Sequence, residues 1–292
     1  MTLRKRKTIF FIFLFVFAIV APLVVLYANG DRLSSGWGIL KTGGIYVAGA
    51  PLGSEVFVSG RLRDTTSFLS RDVLVKNLRA GTYEVEVRKE GYPVWKKKVA
   101  LSGNLVAEAE VFLLPKEIPV REILKTVSVV EKGATTTKNN GEYADVAKLF
   151  VASTTKSVKT TATSSVDLKA NLGTELAPFV EDKIGLWKKG NEIFVKWFGR
   201  EESAPKYFCT ETSCLDALRV ITLPSSPRNI AFFPGNNHAV IIASDRFVFA
   251  LQTEKNPDKL PQVLYEGSAP TFTLIDDVVY VKDGTRLFEI GL

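Results

Sequence analysis

Gly81-Thr82-Tyr83-Glu84-Val85-Glu86-Val87-Arg88, residues 81 to 88, is the stretch on which the fold reading turns. Tyr83, Val85 and Val87 alternate with Glu84, Glu86 and Arg88, the two-residue period of a strand with one face in a core and the other in water. Working outward, related runs are GIYVAG (44–49), EVFVSG (55–60), VLVKN (73–77), VWKKKVAL (94–101) and LVAEAEVFLL (105–114). In the last of these Ala107, Ala109, Val111 and Leu113 oppose Glu108 and Glu110. Turn formers punctuate the runs at Pro51-Leu52-Gly53, Arg79-Ala80-Gly81, Glu90-Gly91 and Gly103-Asn104. About six short strands in roughly 70 residues predict a small antiparallel β-sandwich.

The spacing of these residues resembles the PEGA domain, a compact β module of bacterial and archaeal envelope and surface-layer proteins. Pro51, Gly53, Glu55, Val56, Val58 and Gly60 stand where that family has its Pro-x-Gly-Ala-x-Val-x-Val-x-Gly opening. Leu78, Gly81, Tyr83, Val85, Val87, Gly91, Tyr92 and Trp95 follow the pattern of its close. Ser54 replaces the family's Ala, and no Pro follows Thr65-Thr66. The resemblance covers residues 44–115 and implies a β-sandwich at the cell envelope, with no catalytic residues to carry over. Tyr92 and Trp95 have two readings: aromatics folded over the sandwich edge, or an exposed platform for sugar rings.

The chain before this module has a different texture. TIFFIFLFVFAIVAPLVVLYA, residues 8–28, carries no charge, and a helix of that length matches the ~30 Å hydrocarbon core of a bilayer. Arg4, Lys5, Arg6 and Lys7 supply four of the seven net positive charges of the chain. By the positive-inside rule they hold residues 1–7 in the cytoplasm, which places everything after the helix outside. Pro22 is tolerated better in a membrane helix than in a soluble one. The expectation is a retained signal-anchor with a connector at 29–43. A cleaved signal peptide is the rival, set against a long apolar run and the bulky Leu26 of Leu26-Tyr27-Ala28 where a small residue is wanted.

Beyond Pro115 and Pro119, residues 116–170 read as a Ser/Thr-rich linker or irregular β segment, with Ser or Thr at 12 of the 31 positions from 135 to 165. Residues 171–292 then show a weak repeat. LWKKGNEIFVKWFG (186–199), AFFPGNNHAVIIAS (231–244) and TLIDDVVYVKDGTRLFEI (273–290) each read strand, polar turn, strand. Gly190 to Gly235 is 45 residues and Gly235 to Asp277 is 42, close to the period of propeller blades. The fold expected is all-β with one N-terminal transmembrane helix: a small sandwich, then a propeller-like or stacked-meander β domain.

Few residues suggest chemistry. One His, two Cys and one Met leave little for zinc, haem or iron–sulfur ligation, so no cofactor and no metal is expected. Cys209 and Cys214 are spaced C-x4-C, which fits neither a C-x-x-C redox motif nor half a zinc site. Outside the membrane they read as a structural disulfide pinching a hairpin loop, with two free thiols as the alternative. Ser153-Thr154-Thr155-Lys156 matches S-x-x-K, and Lys41-Thr42-Gly43 matches K-T-G, but the order is reversed relative to penicillin-binding enzymes. His238, in a PGNNH turn, reads as a solvated loop residue. Asp276-Asp277 and Asp283-Gly284 read as hairpin turns. No Walker loop, dinucleotide fingerprint or calcium loop is present, and the mild basic excess left outside the N-terminus disfavours nucleic acid as a partner.

The expectation is therefore a non-enzymatic, extracytoplasmic β protein at the cell membrane, held in the lipid bilayer through residues 8–28. It would contact cell-wall polysaccharide or envelope proteins. The rivals are an anchored hydrolase acting on peptidoglycan or glycans, and a sensor or assembly subunit working through a partner in the membrane.

Overall fold

The computed structural model describes residues 3–28, 31–33, 39–70, 72–124, 179–181, 183–209, 213–215, 217–254 and 259–292. They are mostly β-structure, in five four-stranded sheets with one α-helix among the described residues. The chain divides into two compact units, Met1–Leu113 and Leu114–Leu292.

The first unit begins with α1 (Leu3–Ala28), 26 residues long with Pro22 inside it. The side chains from Ile9 to Val20 are all exposed, so no described residue of the first unit covers this apolar surface. Among the described residues no helix is long and apolar enough to cross a membrane. In α1 the unbroken run of described side chains is Ile9 to Pro22, and the uncharged sequence goes on to Ala28.

The rest of this unit is a sandwich of two sheets, with strands β1 (Asp31–Leu33), β2 (Ile39–Ala48), β3 (Glu55–Val58), β4 (Arg61–Thr65), β5 (Val73–Arg79), β6 (Gly81–Arg88), β7 (Trp95–Leu101) and β8 (Val106–Glu110). One sheet runs β4-β3-β6-β7, antiparallel throughout. In the other, β2 pairs antiparallel with β1 and β5 but parallel with β8, in the register Ile45↔Ala107 and Val47↔Ala109. That parallel pair corrects the expectation of a wholly antiparallel sandwich. β8 reaches β2 after the chain crosses from the other sheet, and the crossing presses the backbones together: Gly44 N–H donates to Leu105 O at 3.0 Å. A Cβ on Gly43 would lie 2.4 Å from that carbonyl oxygen, so a residue with a side chain there would force the strands apart.

Ile45, Val47, Val73 and Val75 meet Val56, Val58, Val85, Val87, Trp95 and Val99 in one core. Val85 and Val87 thus point inward as their alternation predicts. Glu86 departs from its expected wet face, being buried between Arg88 at 2.7 Å and Lys96 at 3.7 Å. The hydrogen bond from Arg88 is the main cause holding its carboxyl below the ordinary value, against burial, which works to raise it.

The second unit contains β9 (Val120–Leu124), β10 (Phe179–Glu181), β11 (Ile184–Lys189), β12 (Glu192–Trp197), β13 (Ala217–Thr222), β14 (Asn229–Phe233), β15 (Asn236–Ala243), β16 (Phe247–Gln252), β17 (Gln262–Glu266), β18 (Thr271–Ile275), β19 (Val278–Asp283) and β20 (Arg286–Ile290). They form three antiparallel sheets, β10-β11-β12-β13, β14-β15-β16-β17 and β18-β19-β20-β9. The first two are simple meanders. The third takes its outer strand from far earlier in the chain: Val120–Leu124, inside the segment read as linker or irregular β, pairs with β20. Leu186, Val195, Phe208 and Val220 of the first sheet and its loop pack against Ile230, Val240, Ile242 and Leu251 of the second. Ala239, Ile241 and Ala250 point the other way and are equally buried, so the middle sheet is covered on both faces.

The repeat is real, but its first unit is one strand out of phase. Gly190 joins the second and third strands of its sheet, whereas Gly235 and Asp276-Asp277 join the first and second strands of theirs. The counterpart of Gly190 in the last sheet is Gly284, between β19 and β20. Asp276 (φ 48°) and Asp277 (φ 63°) are both left-handed, which is what a two-residue turn of type I′ between twisted strands demands.

Candidate functional site

Trp95 is 3% exposed and sits in the sandwich core. Tyr92 is half-buried at the edge of the same core, with Lys89 Nζ 4.6 Å from its ring centre. The pair therefore offers no open aromatic platform: Trp95 faces inward because β7 places it opposite Val87 of β6, on the apolar side of both strands. Of the reading that these two residues make a binding surface, only Tyr92 retains a partly accessible ring.

Cys209 and Cys214 form a disulfide and a one-bridge antiparallel pair in the loop between β12 and β13. Phe208, next to Cys209, is buried in the core, and Leu215 N–H donates to its carbonyl at 2.8 Å. The disulfide closes a loop hung from a core residue, and closing so short a loop contributes roughly 2 kcal/mol. Ser153, Thr154, Thr155 and Lys156 lie outside the described residues. Lys41, Thr42 and Gly43 belong to β2 of the sandwich, where Thr42 is buried.

His238 departs from the sequence reading. It lies on β15, partly buried, because the turn ends at Gly235 and strand pairing has already begun. Its ring meets Tyr207 edge-on at 5.2 Å. Its backbone N–H donates to Asn236 Oδ1 at 2.8 Å, and its carbonyl accepts from Thr253 N–H at 2.9 Å and Thr253 Oγ1 at 3.0 Å.

This contact leads into a cluster of buried polar groups in the second unit, which sequence reasoning did not find. Gln252, Thr253, Glu254 and Gln262 are all buried at the end of β16 and the start of β17. Lys259 reaches into the same place, donating through Nζ to Val220 O at 2.8 Å and Thr253 O at 3.4 Å. Burial pushes its amine down to about 8, against the opposing pull of the Glu254 charge. In the sequence this lysine stands in Glu254-Lys255-Asn256-Pro257-Asp258-Lys259, which has the composition of a solvated turn, and nothing in it signals burial. Chemically the cluster is a brace: the Lys259 ammonium ties the loop after β16 to β13 of the neighbouring sheet.

A second polar knot lies in the last sheet. Asp283, read from the sequence as a turn former, is instead the last residue of β19, paired with Arg286 across the Gly284-Thr285 turn. It accepts from Ser268 N–H at 3.1 Å, Ala269 N–H at 3.0 Å and the Tyr265 hydroxyl at 3.2 Å. Burial works to raise its carboxyl but is outweighed by those three donors and Arg286, so it ends below the usual carboxylate range. Tyr265 is pushed up to about 12, by burial first and by Asp283 next. Among the described residues no group of three or more His, Cys, Asp or Glu could hold a metal ion.

These two groups predict a peaked stability profile in alkali. Lys259 loses its proton at about 8 when folded and at 10.5 when unfolded, so across that window the unfolded chain binds more protons and stability rises with pH. The rise is at most about 3 kcal/mol. Above the ordinary tyrosine value of 10.0 the folded Tyr265, held at about 12, stays neutral while the unfolded one ionises, and stability falls again. Urea unfolding followed by tryptophan fluorescence between about pH 7 and pH 11 reads both limbs. The rising limb should be missing from Lys259→Met.

No family model and no curated protein matches the chain.

Proposed function

We propose that the chain is a single-pass membrane protein whose β units stand outside the cell and serve as a non-catalytic binding or structural module of the envelope. In this reading residues 8–28 cross the bilayer, residues 1–7 stay in the cytoplasm, residues 44–115 are a PEGA-like module, and the three four-stranded sheets belong to a propeller-like domain. The partners are cell-wall polysaccharide or other envelope proteins.

The observation that carries the reading is the bare apolar surface of α1, where every side chain from Ile9 to Val20 is exposed. A helix apolar all round is stable only inside a large core or a bilayer, and among the described residues of the first unit none forms a core around it. The Cys209–Cys214 disulfide fits an oxidising compartment. Protease added to intact cells should digest the chain beyond the anchor and leave a short membrane-held remnant. Cleavage that appears only after lysis would overturn the topology.

A further inference from the structure

Resting on that membrane reading, we infer that one end of the sandwich dips into the surface of the bilayer that α1 crosses, with Phe68 and Leu69 as the inserted tip. Phe68 is 82% and Leu69 94% exposed, the highest values among the large apolar residues described, those of α1 included. They are held outward by a closed turn. Ser67 N–H donates to Ser70 O at 2.8 Å and Ser70 N–H returns the bond to Ser67 O at 3.2 Å, while Ser70 Oγ donates to Asp72 O at 2.7 Å. Asp72 in turn receives the Tyr46 hydroxyl at 2.5 Å. A turn locked by four such bonds does not fold its two apolar residues back onto the protein.

The strand pairings put two further loops beside this tip. Gly53 N–H donates to Thr66 O at 3.0 Å, which joins the loop after β2 to the one after β4. The register Glu55↔Arg88 brings the loop between β6 and β7 to the same end. These loops add the exposed side chains of Leu52 and Val94 and the Lys89–Tyr92 contact, an aromatic and a cation of the kind that sit at a lipid headgroup boundary.

The tether selects lipid as the occupant. Only residues 29 and 30 separate α1 from β1, so Asp31 stands within ~10 Å of Ala28. β1 runs antiparallel to β2, with Asp31 opposite Lys41 and Leu33 opposite Ile39. The chain leaving the helix thus enters the sheet while heading away from the end where β2 finishes, which is the end that bears Phe68 and Leu69. From Lys41 to Ala48 β2 covers ~23 Å. A sandwich held so close to its anchor keeps those loops within reach of the headgroups, and a folded loop that presents two apolar side chains at a bilayer buries them there.

The full chain reconstituted in vesicles of phosphatidylcholine with phosphatidylglycerol tests this. Both native cysteines are in the disulfide, so a nitrobenzoxadiazole label can be placed at a single introduced thiol: Leu69→Cys at the tip, Arg61→Cys at the opposite end of the sandwich, or Phe15→Cys in α1. The inference expects shallow doxyl-lipid quenching at position 69 at least about twofold stronger than at 61, with a blue-shifted emission. Deep quenching at 15 with none at 69 overturns the inference and leaves the anchor standing. Loss of quenching at both 15 and 69 overturns both. A label at 69 shielded from aqueous iodide and from doxyl lipid alike would mean that protein covers the tip, and would also overturn it.

Discussion

Trp95→Ala is expected to unfold the sandwich, whereas Tyr92→Ala, three residues away, should leave it folded. Trp95 lies in the core among Val56, Val58, Val85 and Val87, and truncating a buried aromatic to Ala costs about 3–5 kcal/mol through lost transfer energy and the cavity left behind. A β module of about 70 residues has only roughly 4–10 kcal/mol of stability in total, so this one change removes most of it. Tyr92 only packs against the core from outside, and its loss should cost about 1 kcal/mol. Hydrogen exchange of the amides in β6 and β7 separates the two: Trp95→Ala should bring their protection close to that of a free chain, and Tyr92→Ala should leave it near wild type. A Trp95→Ala chain that keeps its protection and loses only affinity for glycan would restore the aromatic-platform reading.

What the sequence disclosed follows from what each element buries. β6 alternates because one of its faces lies in the core, so Tyr83, Val85 and Val87 declare it. β4 was invisible for the opposite reason: Arg61, Leu62, Arg63, Asp64 and Thr65 are all exposed, and the segment is a strand only because β3 pairs with it. Partner choice between distant strands leaves no local trace, so the parallel β2–β8 pair could not be read from LVAEAEVFLL, which alternates equally well beside a strand of either direction. In the second unit the turns at Gly190, Gly235 and Asp276-Asp277 were right, His238 and Asp283 fell on strands instead, and the phase of the repeat was wrong, because the loop that carries the disulfide lengthens the first repeat between β12 and β13. Lys259 was missed because a lysine signals water in composition, and its burial depends on two carbonyls, Val220 O and Thr253 O, that only the packed sheets bring together. Tyr92 and Trp95 were found as residues, but which of them faced solvent was settled by strand register.

Removing β9 should damage the second unit more than any single substitution. Residues 171–292, the span that the repeat alone marks as a domain, lack Val120–Leu124, and with it the partner of β20 in the register Leu287↔Leu124, Phe288↔Glu122, Glu289↔Arg121 and Ile290↔Val120. The Gly291 N–H bond to Pro119 O, at 2.9 Å, goes as well. The ion pairs Arg121–Glu289 at 2.7 Å and Arg286–Glu122 at 3.1 Å are exposed and add no more than about 1 kcal/mol each. Their loss matters less than that of the ladder. Leu287, Phe288 and Ile290 are buried, so a β20 without its neighbour becomes an apolar strand with an open hydrogen-bonding edge, the arrangement that recruits other chains. Residues 171–292 are expected to elute as aggregates from size-exclusion chromatography and to melt without cooperativity, while residues 114–292 elute as a defined species with one thermal transition. A synthetic peptide of residues 116–126 added in trans should recover part of that transition, because it restores the edge without restoring the covalent link. If residues 171–292 alone melted as residues 114–292 do, β9 would be an ornament on the last sheet. The pairing instead makes β20 depend on a strand laid down more than 160 residues earlier, and contacts at such separation form late and slowly in folding.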